Sequence, residues 1–135
     1  MPAEGGQAVQ VTTRGGFEGF ESSDGQFFYY TKNTYDSTLW RIPITGGEQA
    51  LAFNSDRRIY RRGWALANRG IYFASSETEI EFFNPATGKT TPVATTEKRL
   101  ARWIPSLAVS PDGKRLLYTQ IDQQGSDLML MENIR

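Results

Sequence analysis

The chain has 135 residues, and its 15 basic and 15 acidic side chains give a formal net charge of zero. It contains no cysteine and no histidine, which excludes disulfides, thiol chemistry and a Ser-His-Asp triad within the chain. A neutral chain has no overall attraction to nucleic acid or to anionic membranes, and no apolar run approaches the ~18 residues of a membrane span.

The N-terminal part of the chain divides into a tail, residues 1–4, and a predicted strand, residues 5–13. In this strand two glycines precede polar residues and then apolar ones. The same order recurs at residues 45–51. We therefore interpret residues 5–13 as the outer strand of a repeated sheet unit whose other strands lie elsewhere.

Residues 14–53 contain four predicted strands. An Asp-Gly turn, Asp24-Gly25, lies between a short alternating segment and an aromatic one. This pattern is typical of a β-hairpin in which the glycine supplies a positive φ. A second turn at Gly46-Gly47 leads into the outermost strand. The predicted strands are residues 17–21, 27–30, 38–42 and 48–52.

Residues 54–96 and 97–135 repeat this arrangement, with first turns that end at Gly70 and Gly113. Pro92 falls in a predicted outer strand, where one backbone edge faces solvent and needs no donor. The third unit ends before a fourth strand can form. The predicted strands are residues 64–67, 71–74, 79–83 and 90–94, then 107–110, 116–119 and 127–131.

The repeat length indicates the architecture. Gly25, Gly70 and Gly113 lie 45 and 43 residues apart, which fits propeller blades of about 40–45 residues with four strands each. We predict an all-β fold of three four-stranded antiparallel blades, half of a six-bladed propeller. The three units are called blades 1, 2 and 3, and the N-terminal strand is the outer strand of a neighbouring or partner blade.

One turn carries a family resemblance. Residues 110–113, Ser-Pro-Asp-Gly, with the apolar strand that follows them, resemble the signature of TolB-like, WD-like bacterial propeller repeats, and residues 22–25 form a variant of it. Residues 107–135 are similar to the C-terminal end of bacterial proteins that join a winged-helix or kinase domain to a propeller. The resemblance implies a signalling or transcription-regulatory parent protein and, in that case, a cytoplasmic location.

Three blades leave an uncovered apolar face at each end of the arc, because propellers have 4–8 blades that pack on one another. We expect a homodimer that forms a pseudo six-bladed ring. Residues 7–12 of one chain would complete blade 3 of the other, beside residues 128–131, by β-augmentation. In a longer parent protein, earlier blades would take this place.

A candidate binding rim precedes the first strands of blades 2 and 3. Its arginines could bind phosphate or an acidic partner, and its tryptophans could be ligand platforms at the channel mouth. The alternatives are ordinary exposed charge between blades and tryptophan packing in the core. The rim comprises Arg57, Arg58, Arg61, Arg62, Trp64, Arg102 and Trp103.

Acidic residues could hold a cation or transfer protons. Glu77, Glu79 and Glu81 alternate along one strand face, and the loop from Asp122 to Asp127 contains a glycine between two acids. Charge that prevents edge aggregation explains the first group more simply, and the loop lacks EF-hand spacing. We therefore predict no catalytic, metal or cofactor-binding residue.

The function expected from the sequence is non-catalytic recognition of a ligand or a protein by a propeller segment. No direct nucleic-acid binding and no membrane association are expected. The alternatives are the propeller part of a hydrolase and a structural oligomerisation element. The sequence has neither a histidine nor a serine nucleophile elbow, which argues against the hydrolase.

Overall fold

The computed structural model describes residues 5–33, 37–55, 59, 62–102, 104–122 and 125–134. These residues form eleven strands and no helix, so they include no helix that could span a membrane. The predicted all-β fold class is confirmed. The strands are β1 (Phe17–Glu21), β2 (Phe27–Thr31), β3 (Thr38–Pro43), β4 (Ala50–Asn54), β5 (Trp64–Ala67), β6 (Gly70–Ala74), β7 (Glu79–Asn84), β8 (Lys89–Thr95), β9 (Leu107–Val109), β10 (Arg115–Asp122) and β11 (Gly125–Glu132).

The strands form three separate antiparallel sheets in which consecutive strands are neighbours. Blade 1 has the order β1-β2-β3-β4, blade 2 has β5-β6-β7-β8, and blade 3 has β9-β10-β11. β4 begins at Ala50, two residues later than predicted, because Gly46 and Gly47 both have positive φ and extend the turn. β10 and β11 are longer than predicted, because their pairing continues without a shift from Arg115 to Asp122.

Residues 5–16 form no strand within the chain. The end of this segment lies on blade 1, since a Cβ atom added to Gly16 would be 3.5 Å from the Tyr30 ring and 3.2 Å from Thr12 Oγ1. Val9, further toward the N-terminus, is 80% exposed. That residues 5–13 complete another blade stays a prediction, because it concerns a blade outside this chain.

A hydrogen-bonded turn closes the first hairpin of blade 1. The Ser22 hydroxyl donates to Asp24 Oδ1 at 2.6 Å and accepts from the Phe27 amide at 3.0 Å. The same Asp24 oxygen accepts from the Gln26 amide at 3.0 Å. Gly25 has a φ of 69°, the left-handed conformation that this turn requires.

Blade 3 contains the same turn. The Ser110 hydroxyl donates to Asp112 Oδ1 at 2.5 Å and accepts from the Arg115 amide at 3.0 Å, while the Lys114 amide donates to Asp112 at 3.0 Å. The hydrogen bond from the serine is the largest cause that lowers the pKa of each turn aspartate, Asp24 and Asp112. The Ser-x-Asp-Gly pattern is therefore a structural turn in both blades.

Blade 2 departs from this pattern. Ala67 pairs directly with Gly70, so only two residues connect the strands, and Gly70 begins β6 rather than lying in the turn. A Cβ atom on Gly70 would be 2.1 Å from the carbonyl oxygen of Phe83. Glycine is thus required here by close approach of a neighbouring strand, at a φ of 158°.

The blades pack face to face through two apolar clusters, and blade 2 contributes to both. All five residues of β6 are buried, because alternate side chains face blade 1 and blade 3. The cluster between blades 1 and 2 contains Leu39, Phe53, Ile59, Trp64, Ile71 and Phe73. The cluster between blades 2 and 3 contains Ala65, Tyr72, Ala74, Ile80, Leu100, Leu107 and Leu116.

We predict that Ser110→Ala raises the pKa of Asp112 toward its ordinary value of 3.8 and leaves that of Asp24 unchanged. Because the folded-state pKa is lowered, the carboxylate stabilises the fold above its unfolded pKa, and this contribution is lost as the pH falls through the folded value. Acid titration followed by carboxyl-carbon NMR measures both groups. Ser22→Ala should raise the pKa of Asp24 and leave that of Asp112 unchanged. An unchanged pKa of Asp112 in Ser110→Ala would contradict the role given to the Ser110 hydrogen bond.

Candidate functional site

The predicted binding rim falls only in part within the described residues. Arg62 precedes β5, Trp64 begins it, and Arg102 belongs to the connection from blade 2 to blade 3. The structure can therefore place these three side chains. The rim residues outside the described part of the chain are Arg57, Arg58, Arg61 and Trp103.

Arg62 joins blade 2 to blade 1. Its Nε lies 2.7 Å from Glu18 Oε1. A register shift between Phe17 and Gly19 marks a bulge in β1, and bulges re-aim side chains. Glu18 and Arg62 have φ values of 33° and 59°, so each lies in a conformation that non-glycine residues rarely adopt. The ion pair thus connects two strained backbone positions in neighbouring blades.

Glu77 of blade 2 forms ion pairs with the connection that leads from blade 2 to blade 3. It precedes β7 and pairs with Arg102 and with Arg99, whose Nε is 3.2 Å away. In the same connection, Lys98 Nζ lies 2.6 Å from Asp122 Oδ1, and this contact raises the pKa of Lys98. The cations of this connection therefore meet carboxylates of adjacent blades, which favours a role in blade packing over phosphate binding.

Trp64 lies in the core rather than at a surface. It is 1% exposed and packs edge-to-face against Phe20, with ring centroids 4.8 Å apart. Its indole Nε1 is buried and finds no hydrogen-bond partner among the described residues. A ring with this exposure cannot stack on a ligand, so its position matches the core-packing alternative.

The alternating glutamates do not protect a sheet edge. Glu79 and Glu81 lie in β7, which is paired with β6 on one side and β8 on the other, and Glu77 is held by arginines. Within the described ranges, no group of three acidic residues is placed to hold a metal ion. The centre of the loop from Asp122 to Asp127 lies outside those ranges.

Two grooves lie between neighbouring blades, beside the first turns. The groove between blades 2 and 3 has a volume of about 480 Å³ and is lined in part by Tyr72, Phe82 and Asp112. The groove between blades 1 and 2, of about 370 Å³, is bordered by Asp24. Both aspartates already accept hydrogen bonds within their turns, which makes the grooves weaker candidates for polar recognition.

Cross-strand pairing identifies equivalent positions in the three blades. In each blade, one residue of the second strand pairs with one residue of the third strand, and both side chains face the following blade. These pairs are Tyr29 with Arg41, Tyr72 with Phe82, and Leu117 with Leu130. The residue two positions before the third-strand member of each pair lies on the same face. In blades 1, 2 and 3 this residue is Leu39, Ile80 and Leu128, respectively. Leu39 and Ile80 are 0% exposed because the following blade covers them, whereas Leu128 is 69% exposed.

We call the corresponding surface of blade 3 the open face, formed by Leu117, Ile121, Leu128 and Leu130. Ile121 is 46% exposed and Leu130 is 58% exposed. The sequence carried a signal for it, because residues 128–131 are apolar at four successive positions. A strand that is apolar on both faces is typical of burial on both faces.

The open face borders a free strand edge. β11 has eight residues and pairs only with β10 among the described strands. The outer strand of blade 2, β8, carries Lys89 and Pro92, which discourage pairing with another strand. Residues 128–131 of β11 have neither feature, so this edge is suited to accept a further strand.

The chain was compared with known proteins. No protein family and no curated protein matches it. A solved nidogen–laminin complex matches with a TM-score of 0.65 and 20% identity, over 86% of this chain and 44% of the solved one. The tricorn protease matches with a TM-score of 0.51 and 14% identity, over 84% of this chain and 12% of the solved one.

Both similarities are to β-propellers. The fold of this chain is that of a β-propeller. The chain spans less than half of the length of either solved protein. The three sheets are therefore propeller blades, and the open face occupies the position where a further blade packs in a closed ring.

We predict that Ile80→Ala and Leu128→Ala, at equivalent positions, have different costs. Ile80→Ala should lower the free energy of unfolding by about 2–5 kcal/mol because it leaves a buried cavity. Leu128→Ala should change it by less than about 0.5 kcal/mol in a dissociated chain. Urea unfolding at low protein concentration measures both. Equal losses would mean that the open face is covered within the single chain.

We also predict that the Glu18–Arg62 pair contributes a coupling energy of about 0.2–1 kcal/mol. A double-mutant cycle with both residues changed to alanine, followed by urea unfolding, measures it. The coupling should fall as sodium chloride is raised, because salt screens exposed charges. The control is the Arg115–Glu132 pair within blade 3, in which Arg115 Nε lies 3.4 Å from Glu132 Oε1. A larger coupling in that control would contradict the inter-blade role.

Proposed function

We propose that this chain is a non-catalytic β-propeller segment that recognises protein through the open face of blade 3. The observation that carries the proposal is the exposure of Leu128, 69% against 0% at both equivalent positions. Burial of one leucine side chain gains about 1.5–3 kcal/mol. Three exposed apolar side chains beside a free strand edge therefore favour association with a partner that covers them.

The chemistry of the hydroxyl groups supports a non-catalytic role. The Ser22 and Ser110 hydroxyls each donate to an aspartate and accept from a backbone amide. Both groups are therefore used to hold their turns. The sequence offers no histidine to activate a serine.

The biological setting is a further part of the proposal. The resemblance of residues 110–113 to TolB-like repeats supports a place in a bacterial signalling or transcription-regulatory protein. The coding sequence upstream tests the setting: a winged-helix or kinase domain agrees with it, and a hydrolase domain favours the enzymatic alternative.

We predict that the chain self-associates at micromolar concentration and that Leu128→Asp weakens this association about tenfold or more. A carboxylate on the open face would lose its hydration on contact with the partner, at a cost above the 1.4 kcal/mol that tenfold represents. Sedimentation velocity over a concentration series measures the effect.

Ala86→Asp is the matched control for this experiment. Ala86 is exposed and lies in the turn between β7 and β8 of the middle blade, away from both ends of the arc. The variant should associate like the unmodified chain. Equal weakening by both substitutions, or an unmodified chain that stays monomeric throughout, would contradict recognition through the open face.

A further inference from the structure

We infer that the partner of the open face is a second copy of this chain, which donates residues 7–12 as the missing fourth strand of blade 3. The inference rests on the proposed function, because it assigns the occupant of the same face. Four observations carry it: the backbone of the N-terminal segment, its reach, the free edge of β11, and the partly buried aromatic side chains at the other end of the arc.

The N-terminal segment matches the entry to a fourth strand. Gly5 has a φ of 89°, close to the 85° of Gly46, which closes the turn after β3 by donating its amide to the Pro43 carbonyl. Aligning these two glycines places Val9 at the position of Ala50, the first residue of β4. The segment therefore shares with β4 the first of the two positive-φ glycines that precede the strand, although Gly6, unlike Gly47, has no positive φ, and it pairs with no described strand of its own chain.

The register of the donated strand follows from blade 1. Ala50 pairs with Arg41, and the position equivalent to Arg41 in blade 3 is Leu130. Val9 of one copy should therefore lie opposite Leu130 of the other. Six residues at about 3.3 Å each extend roughly 20 Å, which the eight-residue edge of β11 can accommodate.

The segment cannot reach β11 of its own chain. Thr12 is held beside Gly16 on blade 1, and the three residues from Thr12 to Val9 span at most about 11 Å. Blade 2 lies between blades 1 and 3, and packed sheets are about 10 Å apart. Two such spacings, about 20 Å, exceed the reach of Val9, so residues 7–12 can lie along β11 only if they belong to another copy.

The two ends of the arc are complementary. Ile71 and Leu116 face the preceding blade and are 2% and 0% exposed. Their equivalent in blade 1 is Phe28, which is only partly buried, as is Trp40 of the neighbouring strand, whereas Tyr30 and Ile42 on the same face are buried within the chain. The partly buried rings of Phe28 and Trp40 can thus contact the leucines of blade 3. Two reciprocal contacts between neutral chains close six blades with two-fold symmetry.

Disulfide trapping tests both the partner and the register. The chain has no cysteine, so Val9→Cys and Leu130→Cys can be made in separate, differently tagged copies and mixed. Residues directly opposite each other on paired strands lie within disulfide range. We expect a covalent dimer that contains one copy of each variant, and a sedimenting species of twice the 15.2 kDa chain mass. Both substituted positions are exposed, so both variants should fold.

The control mixture pairs Val9→Cys with Ile44→Cys, which the ring places apart, and it should remain uncross-linked. Equal cross-linking in the control, or oligomers that grow beyond a dimer, would overturn the strand exchange. Association that Leu128→Asp disrupts but that gives no Val9–Leu130 cross-link would overturn it too, while recognition through the open face would stand. An unmodified chain that stays monomeric at micromolar concentration would overturn both proposals.

Discussion

Face-to-face packing of two-sided sheets is the constraint on which the rest of this structure depends. Each blade is a sheet with apolar side chains on both faces, so it is stable only when a neighbour lies on each side. β6 of the middle blade satisfies this condition fully, with all five residues buried. The end blades satisfy it on one side only. The exposed leucines of blade 3 thus follow from the same pattern that builds the core.

Polar contacts between blades set how the sheets meet. The Glu18–Arg62 pair joins residues 44 positions apart, and the Ser106 amide donates to the Arg62 carbonyl at 3.0 Å, again 44 positions apart. Arg62 thereby contacts β1 of blade 1 and the connection that leads into blade 3. Because exposed ion pairs stabilise weakly, their role is to orient blades whose cohesion comes from apolar burial.

Sequence patterns predicted the local structure well, because its causes are local. Alternating apolar residues locate the strands, and the turn glycines Gly25 and Gly113 have the expected positive φ. The patterns could not predict the requirement for glycine at position 70, which arises from the carbonyl of Phe83 on another strand. The burial of Trp64 and the partners of Arg62 and Arg102 also depend on how blades stack, which periodicity within one blade does not reveal.

The placement of the missing strand has a consequence for stability. In propellers that close with a strand from the opposite end of the chain, the last blade is completed only when the ring is complete. Here the edge of β11 and the open face of blade 3 are adjacent, so one partner can supply both the hydrogen bonds and the apolar cover. Any partner that binds only the folded arc stabilises it by mass action. Folding of blade 3 and recognition of its partner are therefore thermodynamically linked, whether the partner is another copy or the preceding blades of a longer protein.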